Sequence, residues 1–174
     1  MKKLFKYLLP LCILLLTVAC PSPFAPPDPA INSTTNDLLA TLEAEISLGG
    51  AKFKGETQIT FPQAFKTCSG RSSDVTLQMG SPRPDGLIRS ELTVLVDYRW
   101  DSDCKEIHDG SYSFLAYGLY DPKTKTVTFN ECADQLAQGS SVLNGPSFEG
   151  KVECFTEEET LWYQLDFSVR LPDF

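Results

Sequence analysis

The chain has 174 residues, of which 15 are basic and 23 are acidic, and its formal charge is −8 at pH 7. Nucleic acids and anionic lipid headgroups bind to basic surfaces, which displace counterions or meet negative charge. An acidic chain of this kind therefore argues against both partners, and we predict no nucleic-acid binding.

The first nineteen residues have the pattern of an export signal. Lys2, Lys3 and Lys6 precede an almost unbroken apolar run over residues 7–19, which ends in a small residue. A spanning helix needs roughly 20 apolar residues, and this run is shorter and contains Pro10. We therefore predict that residues 1–19 are a cleaved signal peptide rather than a membrane span.

The residues around the predicted cleavage point read LTVAC and end at Cys20. This segment resembles the lipobox of bacterial lipoproteins, although Thr17 stands where leucine is commoner. The resemblance implies that the Cys20 thiol carries a diacylglyceryl group and fatty acid of the palmitate type. It places the protein on the cell membrane or outer membrane, with its domain in the periplasm or on the cell surface. The alternative is an ordinary secretory signal that happens to end near a cysteine.

The segment that follows the anchor is rich in proline and polar residues. Residues 20–36 contain five prolines, and their only large apolar side chains are Phe24 and Ile31. Such a composition predicts a semi-rigid, extended tether between the lipid and the domain. Cleavage before Cys20 also removes three lysines and no acidic residue, which leaves 12 basic residues against 23 acidic ones and a formal charge of −11.

Residues 37–174 have the length of one domain, and their apolar side chains recur with a period of two. We predict an all-β fold of about eight antiparallel strands that form a small barrel or sandwich. A short helix near residues 37–42 or 131–137 is a weaker alternative. The predicted strands cover residues 42–48, 52–61, 75–79, 88–100, 112–120, 127–129, 148–155 and 160–171.

Four cysteines remain in the exported domain besides Cys20. Cys68, Cys104, Cys132 and Cys154 are too widely spaced for a typical zinc site, and an even number in an oxidising compartment indicates two disulfides. A meander of strands puts Cys68 and Cys104 at one end of the sheet, so the sequential pairing is favoured. Cys132 pairs with Cys154 only if residues 133–147 cross the domain or the simple meander fails there.

Groups for catalysis or metal binding are few. His108 is the only histidine, no nucleophile motif accompanies it, and we interpret it as a solvated loop residue. The acidic stretch over residues 101–110 departs from the EF-hand calcium pattern and is interpreted as an acidic turn held by a disulfide. We predict no catalytic residues, no metal site and no cofactor, and therefore no enzyme.

Aromatic residues are the best indication of binding. The strand over residues 111–120 is apolar on both faces, Tyr117 included, which predicts a strand covered on both sides, an aromatic cavity or a docking patch. Trp162 stands among polar neighbours and is the best single candidate for an exposed contact. The favoured function is a non-enzymatic binding or structural module of the cell envelope that docks another envelope protein or the cell-surface matrix. The alternative is a carrier that holds a small apolar ligand in a β-barrel cavity.

Overall fold

The computed structural model describes residues 29–62, 66–133 and 135–172. The chain divides into two compact units, Met1–Thr34 and Thr35–Phe174, and the β fold belongs to the second. The predicted signal peptide, residues 1–19, and Cys20 lie outside the described residues. The elements are α1 (Pro29–Leu48), β1 (Lys52–Pro62), β2 (Thr67–Pro82), β3 (Ile88–Val96), β4 (Arg99–Trp100), β5 (Glu106–Ile107), β6 (Tyr112–Asp121), β7 (Thr126–Cys132), β8 (Gln135–Asn144), β9 (Ser147–Phe155) and β10 (Leu161–Arg170).

Eight of these strands form a closed antiparallel barrel. Around the barrel the order is β1, β10, β9, β8, β7, β6, β3 and β2. Each barrel strand therefore pairs with the barrel strands that precede and follow it along the chain, and β1 pairs with β10 to close the barrel. Closure pairs β1 with β10 from Lys54↔Arg170 to Thr60↔Gln164. The predicted all-β fold is confirmed, and of the two architectures left open it is the barrel. The short strands β4 and β5 pair separately within the connection between β3 and β6.

Residues 42–48 are helical, so the predicted first strand is wrong. Leu42 and Ile46, which lie one helical turn apart, are both buried, while Leu48 is exposed. The alternation of apolar residues suggested a period of two, but the positions that enter the core follow the period of a helix. The prediction of an extended tether is also wrong for residues 29–36, because α1 begins at Pro29, and proline is well tolerated in the first helical turn. None of the described helical residues forms a helix long and apolar enough to span a membrane.

The strand β8 was not predicted. A helix near residues 131–137 was considered there instead, and it is wrong, since these residues lie on β7 and β8. The side chains that β8 points inward are Ala137, Gly139, Ser141 and Leu143, three of which are small. Small inward residues give a weak apolar alternation, which is why the pattern failed to indicate a strand. The predicted total of eight strands was still correct, because the missed strand β8 offsets the strand wrongly predicted at residues 42–48.

The barrel interior is filled by side chains from every strand, and α1 adds Leu42 and Ile46 to the same core. Phe53 and Phe148 meet edge to face there, with ring centroids 4.9 Å apart. Glycines allow the strands to bend tightly. A Cβ atom at Gly55 would lie 2.0 Å from the Ser168 carbonyl oxygen, and the pairing register of β1 with β2 shifts at this residue.

Candidate functional site

Both disulfides lie at the same end of the barrel, which we call the disulfide end. Cys68 near the start of β2 is joined to Cys104 in the connection between β3 and β6, and Cys132 at the end of β7 is joined to Cys154 on β9. The predicted pairing is therefore confirmed. The strand β8 crosses the barrel between β7 and β9, which brings Cys132 and Cys154 to the same end. The connection from α1 to β1 enters at the opposite end.

The connection between β3 and β6 folds back over the disulfide end. Tyr98 and Trp100 lie over Gly70 of β2, where a Cβ atom would be 2.5 Å from Cζ2 of Trp100 and 2.7 Å from the Tyr98 hydroxyl. The Tyr98 hydroxyl donates a hydrogen bond of 2.7 Å to the Arg71 carbonyl. Glycine at position 70 is thus what allows the two rings to rest on the barrel. The strand predicted over residues 88–100 ends at Val96 in the structure. Tyr98 and Trp100 lie beyond it and cover the disulfide end of the barrel.

Six aromatic rings form a continuous row across this end, which we call the aromatic strip. Successive ring centroids are 4.9, 5.0, 5.7, 5.0 and 5.1 Å apart. In order the members are Tyr98, Trp100, Phe61, Phe114, Tyr163 and Trp162. Tyr98 and Tyr163 are buried and Phe61, Trp100 and Phe114 are half-buried, but Trp162 is 44 % exposed. Solvent therefore reaches the strip at Trp162 and at the three half-buried rings, while the two tyrosines are covered.

A cleft of about 150 Å³ opens beside the strip. Its lining combines four rings of the strip with Arg99 and Tyr112 of the same end. Asp109 accepts hydrogen bonds from Arg99 Nε at 2.9 Å and from the Tyr112 hydroxyl at 2.6 Å. The hydrogen bond from Arg99 lowers the pKa of the Asp109 carboxyl, and the bond to Asp109 raises the pKa of the Arg99 guanidinium. This ion pair fixes the polar edge of the cleft.

The acidic turn is organised by its own backbone. Asp101 Oδ1 accepts hydrogen bonds of 2.9 Å from the amides of Asp103 and Lys105, and these bonds lower the pKa of the Asp101 carboxyl. Within the described ranges, no group of three or more His, Cys, Asp or Glu side chains is arranged to hold a metal ion. Two carboxylates of this acidic stretch thus have protein partners. Asp101 accepts hydrogen bonds from backbone amides, and Asp109 accepts them from Arg99 and Tyr112.

His108 lies in the same connection and is exposed. Its Nδ1 atom is 3.7 Å from Asp97, its Nε2 atom is 3.9 Å from Glu106, and its ring centroid is 5.9 Å from that of Tyr98. Triad chemistry places a serine, threonine or cysteine nucleophile in hydrogen-bonding contact with the histidine, and the contacts made here are with two carboxylates and a ring. The geometry fits the interpretation of His108 as a solvated loop residue.

Negative charge is concentrated at the disulfide end. In the described connections there, three basic side chains, Lys66, Arg99 and Lys105, accompany eight carboxylates. The carboxylates are Asp97, Asp101, Asp103, Glu106, Asp109, Glu157, Glu158 and Glu159. The described connections at the opposite end carry Asp85 against three basic residues, and α1 adds three carboxylates there. This charge also affects the buried Tyr98. Burial raises the pKa of its hydroxyl most, and the negative charges of Glu106 and Asp97 raise it further.

The two residues predicted to bind, Trp162 and Tyr117, are not brought together. Trp162 lies at the start of β10, whereas Tyr117 lies on β6, four strands away in either direction around the barrel. Tyr117 is half-buried and lines a separate shallow groove that also contains Arg83, Arg89 and Glu131. The outward side chains of β6 are half-buried rather than fully covered, and its inward side chains line the core.

Sequence reasoning missed Phe61, Tyr98 and Phe114 as members of one site. Phe61 ends one predicted strand, Phe114 lies near the start of another, and Tyr98 comes from the loop that the Cys68–Cys104 disulfide ties down. One signal could have found them. All three residues lie near the ends of predicted strands, and an antiparallel meander brings those ends to the same end of the sheet. A scan of known protein-family models and a search of the curated proteins both gave no significant match to this chain.

Proposed function

We propose that this chain is a membrane-anchored envelope lipoprotein whose β-barrel is a non-enzymatic docking module for another protein. The observation that carries the proposal is the aromatic strip, which ends in the exposed Trp162. Tryptophan and tyrosine are enriched where protein interfaces gain most of their binding energy, because each ring buries a large area with few rotatable bonds. The strip presents Trp162 to solvent and exposes part of Trp100, Phe61 and Phe114 at the same end.

The strip is also held in place before any partner arrives. The Cys68–Cys104 disulfide ties down the connection that carries Tyr98 and Trp100, and the Cys132–Cys154 disulfide joins β7 to β9 at the same end. Preorganised side chains lose little conformational entropy on binding, so more of the contact energy is available for affinity. The barrel strands already pair with neighbours on both sides, so a partner meets side chains rather than a free strand edge.

The anchor rests on the sequence of residues 1–20. A thiol that carries two or three acyl chains gives stable membrane attachment, which a single chain does not. The two disulfides of the barrel suit an exported domain, because such bonds persist in oxidising compartments. The attachment site is Cys20, and the domain faces the periplasm or the cell exterior.

The carrier alternative is less well supported by the geometry. The barrel interior is occupied by buried side chains such as Phe53, Phe129 and Leu165, and the cleft at the disulfide end has about 150 Å³. Pockets for drug-sized ligands have roughly 300–1,000 Å³. Native mass spectrometry of the purified protein is expected to give the mass of the lipidated chain alone, and a co-purified small molecule would favour a carrier.

The docking function is tested by photo-crosslinking in intact cells. A photoreactive phenylalanine analogue is placed at Trp162, and the matched control carries it at Val142, which is 52 % exposed on β8 away from the strip. We expect a discrete crosslinked protein from position 162 and none from position 142. Equal crosslinking from both positions, or none from position 162 in a correctly oxidised protein, would contradict the proposal.

A further inference from the structure

We propose that the segment that docks on the aromatic strip is cationic, a stretch of the partner protein with exposed arginine or lysine side chains. This inference rests on the proposed docking function and adds the chemistry of the partner. It follows from the position of carboxylates at both ends of the strip, from the faces of its rings and from the size of the cleft.

The first step is the charge at the two ends of the strip. Glu106 and Asp97 flank the Tyr98 end, where both act on the Tyr98 hydroxyl. Glu157 and Glu158 lie in the exposed hairpin between β9 and β10, five and four residues before Trp162 at the other end. A chain segment that lies along the strip therefore passes carboxylates at both ends. Complementary charge of this kind accelerates encounter and selects partners of the opposite sign.

The second step concerns the charges that are already compensated. The carboxylate of Asp109 pairs with Arg99, and that of Asp101 is satisfied by backbone amides, so neither is counted for a partner. The Arg99 guanidinium lines the cleft, but its charge is balanced by Asp109 at 2.8 Å. Glu106 and Asp97 face His108, at 3.9 and 3.7 Å, and their side chains are 46 % and 81 % exposed. Both remain accessible to solvent.

The third step concerns the rings. A guanidinium or ammonium group is attracted to the face of an aromatic ring, most strongly to tryptophan. The chain has two tryptophans, and both belong to the strip. Glu106 pairs with Trp100 between β4 and β5, and Glu157 and Glu158 precede Trp162 by a few residues. A cation bound at either ring therefore gains from the ring and from the nearby charge together.

The cleft volume favours a side chain over a free small molecule. Its volume of about 150 Å³ is below the range of roughly 300–1,000 Å³ that encloses drug-sized ligands. A side chain delivered by a peptide enters such a space while the remainder of the segment lies along the strip. Arginine suits this role because its planar group stacks on rings and stays charged at every physiological pH.

The test measures peptide binding to the full chain as the cell produces it, kept in mild detergent. The probe is a short peptide of alternating arginine and glycine, and its control carries uncharged citrulline at each arginine. Binding is followed by intrinsic tryptophan fluorescence, which reports on the strip because both tryptophans lie in it. We expect a saturable fluorescence change with the arginine peptide. The citrulline peptide should bind at least about tenfold more weakly.

Two triple variants locate the charges that matter. The first combines Glu106→Gln, Glu157→Gln and Glu158→Gln at the disulfide end. The second combines Glu56→Gln, Glu91→Gln and Glu149→Gln, which removes the same charge from exposed positions on the outer barrel wall. We expect the first to weaken binding of the arginine peptide by about tenfold, as the loss of three exposed charge pairs implies. The second should change it by less than about threefold, because distant exposed charges are screened.

Equal weakening by the two triple variants would overturn the inference, because it would show that general acidity binds the peptide. Equal binding of the arginine and citrulline peptides, or binding of neither, would overturn it as well. None of these outcomes decides whether the protein docks a partner, because the crosslink from position 162 tests that function separately. A crosslink together with equal peptide binding would mean that a partner docks and is not selected for positive charge.

Discussion

Trp100 packs on Gly70 so closely that a Cβ atom at Gly70 would lie 2.5 Å from its Cζ2 atom. Gly70→Ala should therefore push the indole off β2 and loosen the aromatic strip. We expect a shift of tryptophan emission and a loss of unfolding free energy of about 1–3 kcal/mol, the usual cost of overpacking. Fluorescence and denaturant unfolding measure the two effects.

Gly110→Ala is the matched control for that substitution. Gly110 lies in the same connection, and a Cβ atom there would meet Tyr112 at 3.8 Å, an ordinary contact. Its unfolding free energy should stay within about 0.5 kcal/mol of the wild type, as for surface substitutions in general. If the two alanine variants are equally stable and share the wild-type emission, Trp100 does not rest on Gly70.

The helix α1 is predicted to be an integral part of the barrel domain. Leu42 is 1 % exposed and Leu48 is 83 % exposed, although both were expected on the same face of a strand. Leu42→Ala should lower the unfolding free energy by about 2–5 kcal/mol through lost burial and a cavity, while Leu48→Ala should cost less than about 0.5 kcal/mol. Equal costs in thermal and denaturant unfolding would contradict the helical packing.

The two disulfides should differ in their accessibility to reductant. Cys132 and Cys154 are both buried, whereas Cys104 is half-buried in the connection between β3 and β6. Under native conditions we expect a mild thiol reductant to open Cys68–Cys104 first. Alkylation of the new thiols followed by peptide mapping identifies the order. The prediction is wrong if Cys132 and Cys154 are labelled while the other pair remains oxidised.

Removal of the first disulfide should also matter for stability. The double variant Cys68→Ser with Cys104→Ser is expected to lose about 2–5 kcal/mol of unfolding free energy, the usual effect in a small disulfide-bonded domain. Its tryptophan emission should shift as in Gly70→Ala, because the same connection is released. An unchanged emission would mean that the connection keeps its position without the disulfide.

Alkaline pH should destabilise the barrel. Burial raises the pKa of Tyr163 to about 12, and burial followed by Glu43 raises the pKa of Tyr120 to about 12, against 10.0 for an unperturbed tyrosine. Between pH 10 and 12 the folded state retains protons that the unfolded state has lost, so the stabilisation is complete below pH 10 and is lost as the pH rises to about 12. Denaturant unfolding at several pH values measures this decline. Tyr163→Phe should make it shallower, and an unchanged slope would contradict the assignment.

The sequence predicted most of the barrel because period-two alternation is strong where large apolar side chains face inward. Leu161, Tyr163, Leu165 and Phe167 made β10 easy to recognise, and the even number of cysteines indicated two bridges. The pattern failed at residues 42–48, where Leu42 and Ile46 fit a strand and a helix equally well. It also failed on β8, whose inward residues are mostly small.

The candidate site was harder to predict because its members are distant in sequence. Trp162 was expected to be exposed from its polar neighbours, and it is 44 % exposed. Phe61, Phe114 and Tyr163 come from three strands, and only the closed barrel brings their rings together. Local patterns describe which face a residue occupies, but contacts across a barrel depend on strand order and register.

The claim that this β domain works as a membrane-anchored module is tested most directly by fatty-acid labelling at Cys20. Cells that express the full chain are fed an alkyne analogue of palmitate and are then fractionated, with Cys20→Ala in parallel. The control is Cys12→Ala, whose cysteine lies within the predicted signal peptide. We expect label and membrane association in the wild type and in Cys12→Ala, and neither in Cys20→Ala. A Cys20→Ala protein that still incorporates the label and still sediments with membranes would contradict the anchor.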